Sequence, residues 1–156
     1  MVTLPTLYQF PISHYCEKSR WSLDHKRVRY RVRNVLPGLH VFYTRPLAAV
    51  WTVPVLTDDG VSIGDSTAIA QHLDATRDGP MLYPRDAEAR GRVVALEEWF
   101  DKNAGPAVRS YLYGELLATP GSAARVFFQG YGLAPRWVGG RLAHKFEGGL
   151  RKKFRL

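Results

Sequence analysis

The sequence predicts an α/β fold, a small mixed sheet flanked by helices, followed by an all-helical portion. Three observations carry this. Residues 1–78 read in the order strand, helix, strand, irregular segment, strand, hairpin, strand, helix. Asp58-Asp59-Gly60 between two apolar runs is a hairpin turn, so one strand pair must be antiparallel. After Asp78-Gly79-Pro80 every pattern is helical, so sheet and helices segregate along the chain.

Residues 7–10 form the first strand, ended by Pro11. Ser13 stands at a helix start, where its hydroxyl can accept from free backbone N–H groups. Glu17 in the first turn suits the positive end of the helix dipole, and the helix is expected to run to about Lys26. Residues 28–33 alternate strictly between apolar and basic, which predicts a strand with one buried face and its arginines turned to solvent or a partner. Pro37-Gly38 closes it. Residues 38–52 show no clean period. A short apolar strand follows at 53–56, then the turn, then a paired strand at 61–63. Gly64-Asp65-Ser66 opens a helix whose core face is Ser66, Ile69, Ala70 and Leu73.

Beyond residue 79, a long helix is expected over 85–102, with Val93, Leu96 and Phe100 on one side. Gly105-Pro106 should end or kink it. Helical stretches follow at 107–117 and 122–129. These signals predict two domains, 1–78 and 79–156.

The net charge of +8 is uneven: residues 141–156 carry six basic side chains against one acidic. Leu142, Phe146, Leu150 and Phe154 recur there every four residues, one apolar row on a helix, but Gly148-Gly149 weakens that helix. The row is expected to dock on the helical portion or to stay loose, and contact of this basic tail with nucleic acid or membrane is not expected. No run reaches the ~20 apolar residues of a membrane span. The first ten residues lack a basic start and apolar core, and Cys16 is the single cysteine. A cytoplasmic protein without disulfide or metal site is the expectation.

Three segments carry chemistry. Ser13-His14-Tyr15-Cys16-Glu17-Lys18 lies between a strand and a helix, where exposed N–H groups stabilise an anion. Val53-Pro54 precedes a strand. Gly64-Asp65-Ser66-Thr67-Ala68-Ile69 follows the hairpin at a second helix start. Ser13, Asp65 and Ser66 also read as ordinary helix caps.

In this order, these segments resemble the glutathione transferase superfamily, and the stretch 101–109 is similar to its bacterial members. The resemblance implies a thioredoxin-like glutathione-binding domain and a shortened, incomplete helical domain. It implies glutathione as cosubstrate, with Ser13 contacting its sulfur. A hydroxyl donating to a thiolate lowers the thiol pKa. It implies a cis Pro54 with the Val53 backbone on the cysteinyl unit, and Asp65 and Ser66 on the γ-glutamyl end. It also implies a small electrophile, a detoxifying role and a homodimer. His40 and Arg45 fall where members hold the glycyl carboxylate. A glutathione-dependent thiol oxidoreductase using Cys16 and a non-catalytic binding module are the competing readings. His14 reads as a solvent-exposed loop residue, and Trp99, Phe100, Tyr111 and Tyr113 as helix-packing aromatics.

Overall fold

A computed structural model describes residues 4–129, 131 and 143–154. Their contacts divide into two compact units, one reaching to Ala95 and one starting at Leu96.

The first unit contains β1 (Thr6–Gln9), α1 (His14–His25), β2 (Arg31–Asn34), α2 (Val41–Ala48), β3 (Val55–Asp58), β4 (Val61–Gly64) and α3 (Ser66–Thr76). The strand order is β2-β1-β3-β4. β1 and β2 are parallel, joined through α1, and the other pairings are antiparallel. This is the mixed four-stranded, thioredoxin-like sheet that the sequence predicts. Its core is Leu7, Leu23, Leu56, Ile69 and Leu73, with Val28, Tyr30, Ile63 and Leu82 packed against it. All four residues assigned to the inner face of α3 are buried. The hairpin turn has Asp59 at φ 46° and Gly60 at φ 84°, the two positive values a tight two-residue hairpin requires. Asp58, at its base, is buried and bound to Arg77, and its Oδ2 lies 2.9 Å from His72 Nε2 on α3.

Two expectations change here. The aperiodic segment after Pro37 contains the helix α2, with Pro46 inside it. A short helix interrupted by proline has no apolar stripe long enough to show a period. In β2 all four residues are exposed, Val32 included at 47%. Val28 and Tyr30 meet the core, but β2 is the outermost strand, so the alternation beyond them serves no buried face.

Gly64, the last residue of β4, allows a close approach. A Cβ there would meet the Cγ atoms of Val50 at 2.8 and 2.9 Å. Val50 is β-branched and has little rotamer freedom to yield. Gly64→Ala is expected to cost about 1–3 kcal/mol, read as a lower thermal midpoint. A wild-type midpoint would mean that the backbone at Val50 gives way freely.

The helix α4 (Ala87–Trp99) continues through a π-turn (Phe100–Ala104) into α5 (Gly105–Ala118), followed by α6 (Ser122–Phe127) and α7 (Ala143–Phe154). The expected break at Gly105-Pro106 is therefore a π-turn rather than an end. Proline cannot donate to the ladder, and the wider turn absorbs the missing bond: the Gly105 N–H donates to Phe100 O, and Asn103 Nδ2 donates to Trp99 O at 2.9 Å. Val93, Leu96, Trp99, Phe100 and Tyr111 are exposed rather than packed, apart from an edge-to-face contact between Trp99 and Phe100. Tyr113 does pack, with its ring 5.4 Å from that of Phe127.

Within the second unit Leu117, Ala123 and Phe127 are buried. α7 lies against α5 and α6, and Arg151 donates to Leu117 O. The tail thus docks on the helical portion, and its helix passes through the exposed pair Gly148-Gly149. Leu142 and the side chains of Phe146 and Phe154 lie outside the described residues.

Candidate functional site

Sheet register gathers the three sequence segments. Tyr8 pairs with Val55, and Val55 pairs with Gly64, so one row crosses three strands. Pro54 immediately precedes this row and Asp65 immediately follows it, while the chain leaving β1 reaches Ser13 through a short turn. α1 and α3 pack side by side, which sets their N-termini near this end of the sheet.

Ser13 is the N-cap of α1, with extended backbone, and its Oγ accepts from the Cys16 N–H at 3.4 Å. A hydroxyl has two acceptor sites and one donor. Capping uses an acceptor site only, so the O–H, which also interacts with the Cys16 thiol, can turn to donate to an anion, and the structural and chemical readings of Ser13 are compatible. Cys16 faces inward and is fully buried. Burial pushes its thiol pKa up, and this outweighs the opposing bond from Ser13.

The Val53–Pro54 peptide bond is cis. Pro54 is buried, and Val53 is partly exposed in the turn that precedes β3. Asp65 caps α3: its Oδ1 accepts from the N–H groups of Thr67 at 2.9 Å and Ala68 at 3.1 Å. Its backbone holds φ 79°, ψ 134°, a conformation that side chains other than glycine rarely adopt and that clusters at ligand-binding positions. Ser66 begins the helix at 1% exposure, and its Oγ has no hydrogen-bond partner. A buried hydroxyl without a partner costs about 1–3 kcal/mol.

Lys18 is the residue that sequence reasoning left without a role. Its Nζ crosses from α1 to donate to Thr67 Oγ1 at 2.7 Å, placing a cation at the start of α3. The only sequence cue is its position one turn after His14 on the helix that Ser13 caps. His40 Nε2 lies 3.0 Å from Trp51 O, and the Arg45 guanidinium sits 4.1 Å from the centre of the Trp51 ring. His14 is exposed, its ring stacked beside Tyr15.

A groove of about 910 Å³ runs along α1, bounded by Ser13, Lys18, Trp21, His25, Met81 and Leu82 among others. It includes Ser13, but Val53, Pro54, Asp65 and Ser66 do not line it. Among the described residues no group of three or more His, Cys, Asp or Glu is placed to hold a metal ion, and no helix is long and apolar enough to cross a membrane.

Comparison with known proteins agrees with this fold. A family model described as glutathione S-transferase, N-terminal domain, matches residues 7–81. None of the curated proteins compared matches the chain. Among solved structures, a glutathione S-transferase from the Antarctic clam Laternula elliptica superposes with TM-score 0.61 at 22% identity, over 71% of this chain and 52% of that one. The beta-etherase LigF of Sphingobium sp. strain SYK-6 gives TM-score 0.67 at 18% identity, over 92% and 63%. A glutathione S-transferase of Ceriporiopsis subvermispora, solved in complex with glutathione, gives 0.62 at 22%, over 92% and 71%. At these identities the likeness is one of fold, and the chain spans little more than half the length of the clam protein.

Proposed function

Because residues 7–81 belong to the N-terminal domain family of the glutathione S-transferases, we propose that this chain binds glutathione and activates its thiol for attack on a small electrophile. Residues 1–78 form the glutathione-binding domain in this reading. The γ-glutamyl end meets the N-terminus of α3, where backbone N–H groups, the Ser66 hydroxyl and the Lys18 ammonium favour a carboxylate. The second carboxylate oxygen of Asp65 takes the α-amino group. The Val53 backbone pairs with the cysteinyl unit, which leaves the sulfur beside Ser13. The thiol proton passes to solvent, the Ser13 O–H donates to the resulting thiolate, and the thiolate's electron pair forms the new sulfur–carbon bond as the leaving group departs with its own pair. The nucleophile belongs to the cosubstrate, and the protein supplies position and charge stabilisation.

The observation that carries this reading is the buried, unpartnered Ser66 Oγ beside the strained Asp65 backbone. Both features cost stability and both stand where a ligand's polar end would use them. Calorimetric titration with glutathione tests it. Ser66→Ala is expected to weaken binding by about 1–2 kcal/mol, and Asp65→Ala to weaken it as well. Native affinity in both variants would remove the site.

Burial of the Cys16 thiol, with its raised pKa, favours the transferase reading over an oxidoreductase that attacks with Cys16. A cytoplasmic, homodimeric, detoxifying protein completes the proposal. The lone thiol suits a reducing compartment, and the exposed apolar residues Val93 and Leu96 on α4 suit a covered face. Binding without turnover across a broad electrophile panel would reassign the chain as a non-catalytic glutathione-binding module.

A further inference from the structure

The outermost strand of the sheet is unusual in its charge and in what it leaves open. From His25 to Thr57 the sequence holds six basic residues and no acidic one. Lys26 is buried in a pair with Asp74. The other five, Arg27, Arg29, Arg31, Arg33 and Arg45, are exposed, and none has an ion-pair partner among the described residues. Arg31 and Arg33 alternate along β2, so they share one face of the edge, and the exposed Arg29 lies just before the strand. Arg33 is held on that face: its guanidinium lies 5.5 Å from the ring centre of Tyr8 and 4.7 Å from that of Tyr43. Such stacking fixes the guanidinium plane and lowers the entropy lost when it binds.

The backbone of the same strand is half used. Arg31 N–H donates inward to Pro5 O and Val35 N–H inward to Gln9 O. Strand alternation therefore turns the N–H and C=O groups of Val32 outward, together with the Asn34 N–H. Val32 and the nearby Phe42 add exposed apolar surface, at 47% and 72%.

We propose that β2 is a docking edge for an extended acidic peptide, which adds as a fifth strand with carboxylates at alternate positions. Outward N–H and C=O groups accept a strand's backbone ladder. Alternate carboxylates, ~7 Å apart along the partner, face the arginines across the pair and supply the anions that this surface lacks. A nucleic acid matches less of the edge, because its phosphates accept from N–H groups but offer nothing to the outward carbonyls. The inference is independent of the glutathione site.

Fluorescence anisotropy with the intact protein tests it, using a labelled peptide of about six residues, a usual strand length, alternating glutamate and valine. Three competitors accompany it: the same composition with the charges clustered, the same sequence N-methylated at alternate amides, and single-stranded DNA of about ten nucleotides. The alternating peptide is expected to bind about tenfold more tightly than the clustered and N-methylated forms, the scale of losing a pair of charge-assisted contacts. The double variant Arg31→Ala/Arg33→Ala should weaken it by a similar factor while its circular dichroism and thermal midpoint stay native. N-methylation needs no change to the protein, so the backbone part of the proposal stands or falls without a variant. Equal binding of the N-methylated peptide, or tighter binding of the DNA, would make this a general anion surface and overturn strand addition. No binding of any ligand would leave the arginines as a guard against edge-to-edge aggregation and overturn the proposal outright.

Discussion

Replacing Asp74 with Asn is expected to remove about 3–5 kcal/mol of folding stability, the usual cost of stranding one partner of a buried ion pair. Lys26 Nζ lies 3.2 Å from Asp74 Oδ1, and the two side chains are 1% and 4% exposed. Asp74 also accepts from the N–H groups of Leu82 and Tyr83, each at 2.9 Å. One carboxylate thus ties the end of α1, the body of α3 and the segment leaving the sheet. Asparagine keeps the shape and can still accept from one N–H, but it leaves the Lys26 ammonium buried without a counter-charge. Against a domain stability of about 5–15 kcal/mol, such a loss is large. Urea denaturation measures it. The double variant Lys26→Met/Asp74→Asn removes both charges and keeps an acceptor, so it should recover much of the loss. A double variant no better than the single would show that the hydrogen bonds, not the charges, carry the clamp.

The pH dependence has a definite sign. Burial alone would raise the Asp74 pKa, but the bonds from Leu82, Tyr83 and Lys26 outweigh it and hold the carboxyl below its usual range. The folded protein therefore binds this proton less readily than the unfolded chain. The stability it contributes is full above about pH 4, near the unfolded value, and is lost as pH falls through the lower folded one. The gap between wild type and Asp74→Asn should narrow in that acid range, and a constant gap would reject the linkage.

The local features of this fold were legible because single residues determine them. Asp59-Gly60 can form a tight two-residue hairpin at little steric cost, and Ser13 and Asp65 are good caps whether or not a ligand binds. The inner face of α3 was legible because Ile69, Ala70 and Leu73 repeat at helical spacing over a covered sheet. What stayed hidden depends on tertiary neighbours. Pro46 breaks the period of α2, and Gly105-Pro106 reads as an end or a kink without disclosing the π-turn that carries the helix through it. The buried state of the Ser66 hydroxyl and the reach of Lys18 to Thr67 arise only when α1 and α3 pack together. The pattern of β2 promised a buried face, because alternation alone does not say whether a strand lies at an edge.

Removing the Ser13 hydroxyl is expected to lower turnover roughly tenfold, the fall in thiolate fraction that a rise of about one unit in the thiol pKa produces, with a smaller change in glutathione affinity. The asymmetry follows from where the hydroxyl acts. In the proposed site the carboxylates and amides of glutathione would bind equally in its thiol and thiolate forms, so contacts at Asp65, Ser66 and Val53 would set affinity. The Ser13 O–H distinguishes the two forms, because it donates to a thiolate more strongly than to a neutral thiol. Its loss should raise the thiol pKa of bound glutathione by about one unit, equivalent to one hydrogen bond to a charged group. At neutral pH the reactive fraction then falls, and the pH–rate profile moves to higher pH. Ser13 also caps α1 through the Cys16 N–H, so Ser13→Ala should cost about 1 kcal/mol of stability. Ser13→Gly keeps most of a cap without the hydroxyl and separates the two roles. Ultraviolet titration of bound glutathione gives the thiol pKa directly. If that pKa is unchanged in both variants and turnover falls in Ser13→Ala but not in Ser13→Gly, Ser13 acts only as a cap. If both stay native, it has no place in the mechanism. Ser13→Cys supplies a converse test, since a thiol at this helix start should be acidified by the surrounding N–H groups and bring disulfide exchange above that of the parent protein, whose Cys16 is buried.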